Sequence, residues 1–94
     1  MICHVVLMTF TDPDDAPEAE RRLHAMVSHV PSLLMLQVGL DLVHGPASAH
    51  LFLQTTHADL AGLQAYAEHP LHVDVLAWLE PRLARRVVVD AELK

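Results

Sequence analysis

Residues 2–10 of the chain are apolar on both faces of what must be a β-strand, and this constrains the fold more than any other stretch. Ile2, Val6, Met8 and Phe10 fall on one side, and Cys3, Val5 and Leu7 on the other. Successive strand residues point to opposite faces, so such a strand needs cover on both sides of its sheet. With 94 residues and 52% apolar side chains, a single small domain buries only about 60–65% of its unfolded surface. It has more apolar surface than a monomer of this size easily hides, which points to an oligomer.

Several function classes drop out on composition. A net charge of −6, with only six Lys and Arg residues and no cluster denser than Arg82, Arg85 and Arg86, argues against a phosphate-backbone partner. A single Cys3 rules out an internal disulfide or a multi-cysteine zinc site. The N-terminal run has no basic region or small-residue cleavage site, so it reads as a strand and not as a signal peptide. No apolar run nears the roughly 18 residues that span a bilayer. No nucleic-acid or membrane partner is expected, and the cytoplasm is the expected location.

After Phe10, Thr11-Asp12-Pro13-Asp14-Asp15 signals a turn and helix start, with acids where the helix dipole favours them. A first helix then runs to about His29, burying Ala19, Leu23, Met26, Val27 and Val30. Alternation across residues 34–43 predicts a second strand, and residues 49–56 a third. Thr56-x-x-Asp59 reads as a capping box opening a helix that runs to His69-Pro70. Pro70 lacks an N–H and suits the first position of a new helix, predicted over about residues 70–79. Val87-Val88-Val89 supplies a fourth strand. The order β-α-β-β-α-β predicts an α+β, ferredoxin-like domain with a four-stranded antiparallel sheet and helices on one face. The apolar second face then predicts a symmetric homodimer in which two sheets form a dimeric α+β barrel.

The chemistry-bearing residues gather in Tyr66-Ala67-Glu68-His69-Pro70-Leu71-His72. His69 sits at the cap of the new helix, and His72 is in register with Val75, Leu76 and Leu79, a stripe aimed at the core. A buried Tyr66 needs a partner for its hydroxyl, and His72 is the natural candidate. His4, on the first strand, either packs against its neighbours or enters the same cleft. His69 and His72 straddle a proline, so no metal site is assigned. Cys3 and His4 point to opposite faces, which excludes a cysteine–histidine pair. His24, His29, His44, His50 and His57 read as surface or turn residues, and the three arginines as a solvated face or, instead, as groups that bind an anionic substrate tail or pair with acids across the dimer.

Four elements together resemble the stress-responsive dimeric α/β-barrel (Dabb) domains. They are Ile2-x-His4-Val5-Val6-Leu7-x-x-Phe10, Gly39-x-Asp41, Tyr66-x-x-His69-Pro70-x-His72 and Val88-Val89-Asp90. The resemblance spans nearly the whole of residues 1–94, as a single domain, and implies the dimeric barrel. One branch of that family comprises plant polyketide cyclases, which close a linear polyketide by an intramolecular aldol condensation. By resemblance their working histidines fall on His4 and His72, and a supporting tyrosine on Tyr66. The cleft between sheet and helices would be lined by Val6, Met8, Leu23, Leu51, Leu53, Val75 and Leu83. Leu23 stands where the cyclases carry a second tyrosine, and His57 where the family usually carries phenylalanine.

Two function classes follow. One is a dimeric module whose cleft binds a hydrophobic small molecule. The other is a cofactor-free enzyme, cyclase-like or monooxygenase-like, with His72 as general base assisted by Tyr66 and His4. No cofactor is implied in either case.

Overall fold

The computed structural model describes all 94 residues. The elements are β1 (Ile2–Phe10), α1 (Ala16–His24), β2 (Met35–Leu40), β3 (Leu51–His57), α2 (Leu60–Glu68), α3 (Pro70–Leu79) and β4 (Leu83–Glu92). The four strands form one antiparallel sheet in the order β2-β3-β1-β4. With the helices packed on one face, this is the expected ferredoxin-like α+β fold.

Period-two alternation places Val6, Met8 and Phe10 of β1, with Leu51 and Leu53 of β3, beneath the helices. From the other side Ala16, Ala19 and Leu23 of α1 and Tyr66 and Leu79 of α2 and α3 complete the core. Registers Val6↔Leu53 and Val6↔Val88 centre it on β1.

Several boundaries differ from expectation. α1 ends at His24, not near His29; Met26, Val27 and His29 instead make tighter bonds to carbonyls three residues back. Val27, Ser28 and His29 are weak helix formers and Pro31 follows, yet Met26 and Val30 still reach the core. β2 stops at Leu40 and not at Val43, because Asp41 turns the chain: its carboxylate accepts the His44 N–H at 2.6 Å. That bond, then those to Val43 and Leu42, lowers the Asp41 pKa, so the Gly39-x-Asp41 motif secures a loop. Gly39 itself lies under Phe52, and a Cβ there would meet ring Cε1 at 2.6 Å. The capping box is also revised. Thr56 lies within β3, and Asp59 is the cap, accepting the Gly62 N–H at 2.8 Å.

Much of the second sheet face is uncovered. Leu7, Met35, Phe52, Val87 and Val89 lie on it, from 38% exposed at Val87 to 57% at Val89.

Candidate functional site

The Pro70 break folds α3 back over the last turn of α2. His69 is extended there and caps α3, its Nδ1 accepting the Leu71 N–H at 3.1 Å. His72 then reaches back across the break: its Nδ1 lies 3.0 Å from the Ala67 carbonyl oxygen. A carbonyl only accepts, so Nδ1 carries the proton and the neutral ring keeps its lone pair on Nε2. Burial lowers the His72 pKa from 6.5; the Ala67 bond opposes this, and the nearby His4 and Arg86 reinforce it. His72 is therefore neutral at pH 7.

Tyr66, only 1% exposed, is enclosed by three imidazoles. Ring centres lie 4.5 Å away for His72 from α3, 4.9 Å for His57 from β3 and 6.1 Å for His4 from β1. The expected Tyr66–His72 hydrogen bond is not made; the rings pack with tilted planes and the phenol hydroxyl has no partner. Burial pushes the phenol pKa up to about 12, and Arg86 works weakly against that.

His57 overturns its expected surface placement. It is fully buried, donates from Nδ1 to the Ser32 carbonyl at 2.8 Å and accepts the Thr55 hydroxyl at Nε2, 2.9 Å away. Its place could have been read from β3, where Leu51, Leu53, Thr55 and His57 share one face. His50 is also half-buried: it accepts the Phe10 N–H at 2.9 Å and stacks on the Phe10 ring. His24, His29 and His44 are exposed.

His4 meets a partner that sequence reasoning missed. It pairs with Asp90 across β1–β4, and its Nδ1 is held by the Asp90 carboxylate. Equal strand register between His4 and the Val88-Val89-Asp90 segment was the available signal.

A cavity of about 20 Å³ lies between sheet and helices, bordered by His4, His72 and Arg86. Of the seven apolar positions expected to line it, Val6, Met8, Leu23, Leu53 and Val75 do so; Leu51 and Leu83 belong to the core beside it. Leu76 and Leu79 join the wall. The arginines are not a common solvated face. Arg86 borders the cavity, while Arg82 lies 4.3 Å over the Trp78 ring and donates to its carbonyl at 2.7 Å. Val75 also borders a groove of about 380 Å³ between α1 and α3, walled by Met26 and Leu71 and rimmed by Arg22, His29 and Asp74.

The sequence matches the stress responsive A/B barrel domain over residues 2–93. The chain belongs to that family. The A/B barrel domain is similar to a dimeric ferredoxin-like protein of unknown function from Thermobifida fusca yx. They share 28% identity over 98% of this chain and 90% of that one, with a TM-score of 0.87. A second dimeric protein of unknown function and ferredoxin-like fold, from Bacteroides fragilis NCTC 9343, shares 22% identity over 98% and 95%, with a TM-score of 0.84. The hydroxynitrile lyase from Passiflora edulis shares 15% over 99% and 93%, with a TM-score of 0.83. These last two likenesses are of fold. No curated protein matches this chain in sequence. None of its helices is long and apolar enough to cross a membrane.

Proposed function

We propose that this domain works as a homodimer whose cleft takes a small apolar molecule bearing a carbonyl group, with His72 as general base. One observation carries this reading: the Ala67 carbonyl claims the Nδ1 proton of a half-buried, neutral His72, leaving the Nε2 lone pair as the ring's basic site beside the cavity. A base of that kind can remove an acidic C–H proton next to a carbonyl. The unpartnered Tyr66 hydroxyl is a donor suited to the developing enolate oxygen, while His4, its Nδ1 proton directed at Asp90, borders the same cavity. The cavity, about 20 Å³, accommodates a water or one functional group. The bulk of the ligand would therefore lie in the α1–α3 groove, of about 380 Å³, and pass Val75.

The homodimer rests on the open apolar sheet face and on the dimeric relatives. Residues 1–94 form one domain on this reading, and an unpaired Cys3 suits the reducing cytoplasm. The small closed cavity favours a second reading, binding without turnover, in which the ligand's apolar part is held and nothing is abstracted.

The test is exchange of the C–H protons of acetylacetone into deuterated water, with wild type and His72→Ala compared. Catalysed exchange falling roughly 10²–10⁴-fold in the variant supports the base. Equal rates would remove His72 from any mechanism, and binding without exchange would leave the second reading.

A further inference from the structure

We infer that Arg86 makes this cleft selective for apolar molecules that carry a carboxylate, such as oxo acids with an apolar tail. The inference rests on the small-molecule reading above and adds the charge of the ligand. The other arginines near the helices are occupied. Arg21 and Arg22 pair with Glu18, and Arg82 is fixed on Trp78. Arg86 forms no ion pair and no side-chain hydrogen bond, although it borders the cavity.

The strand register explains why. Arg86 sits opposite Met8 and Asp90 opposite His4, so both lie on the helix-covered side of β4, each two positions from Val88. Asp90, the carboxylate on that side of β4, is taken by His4 Nδ1. A guanidinium is thus left beside a cavity otherwise bordered by two imidazoles and apolar side chains. Its charge is felt at the site, where it lowers the proton affinity of both His72 and Tyr66. A carboxylate matches the planar donor fork of arginine in two parallel bonds, which a neutral carbonyl or hydroxyl cannot do. Placing the carboxylate on Arg86 would also set the carbon beside a neighbouring carbonyl near His72.

The experiment follows the His4 and His72 ring resonances during titration with octanoate and, separately, octanol at neutral pH. Wild type, Arg86→Leu and Arg86→Lys are compared. In wild type, octanoate should bind at least roughly tenfold more tightly than octanol, the scale of one charge-assisted contact. Arg86→Leu should erase that preference, octanoate then binding no more tightly than octanol, while Arg86→Lys should keep part of it. Octanol binding with no octanoate preference in wild type overturns the role of Arg86 but spares the small-molecule reading. Rings that respond to neither probe overturn both. A preference lost in Arg86→Leu only together with the dimer, seen by sedimentation, overturns the inference by placing Arg86 at the interface.

Discussion

The Tyr66 and His72 rings lie 4.5 Å apart, yet no hydrogen bond joins them, and the Tyr66 hydroxyl has no partner at all. A buried hydroxyl without a bond contributes nothing that offsets its desolvation. Removing it should be harmless to the fold. Tyr66→Phe should change stability to denaturant by less than about 1 kcal/mol, or increase it, while Tyr66→Ala should cost about 3–5 kcal/mol. A Phe variant as damaged as the Ala variant would mean that the hydroxyl holds the fold.

The chain has one tyrosine, so its ionisation can be read directly from phenolate absorbance. Burial raises the folded pKa from 10 to about 12. The unfolded chain therefore loses this proton first, and the stability tied to it is present below pH 10 and lost as pH rises towards 12. Native protein should show no phenolate signal at pH 10. A titration midpoint there would place Tyr66 in water.

Acid should act through two histidines. Burial lowers the pKa of both His57 and His72 from 6.5. Each is held neutral in the fold, so stability is complete above pH 6.5 and declines as pH falls below it, when the unfolded chain takes up protons first. His57→Phe would keep the ring but orphan the Ser32 carbonyl and the Thr55 hydroxyl. It should lower stability by about 2–4 kcal/mol and flatten part of the acid decline below pH 6.5. An unchanged pH profile would show that His57 does not titrate with unfolding.

The open sheet face gives a further test. Leu7 is on that face, opposite Phe52 and Val87 on the flanking strands. Leu7→Glu should yield a folded monomer in sedimentation, with its circular dichroism retained. A dimer of undiminished stability would locate the contact elsewhere.

Strand alternation and the proline break made the fold legible in the amino-acid order, because a period of two and a missing N–H act locally. The twofold apolar character of β1 likewise anticipated a sheet face that the helices leave open. What stayed hidden depends on register between distant strands. Nothing local pairs His4 with Asp90, or turns Arg86 towards the cavity and away from its neighbours Arg82 and Arg85. His57 ends a strand, where a polar residue usually meets water; here Ser32, from the segment leading into β2, closes over it. The proline break places Tyr66 beside His72, as the motif implies, but with tilted rings and no hydrogen bond.

The most direct measurement is the nitrogen-15 spectrum of the His72 ring in native protein at pH 7. The expected result is a neutral imidazole with its proton on Nδ1 and an unprotonated Nε2, whose signal moves when a carbonyl ligand is added. An imidazolium at that pH, or a proton resident on Nε2, would contradict His72 as the base.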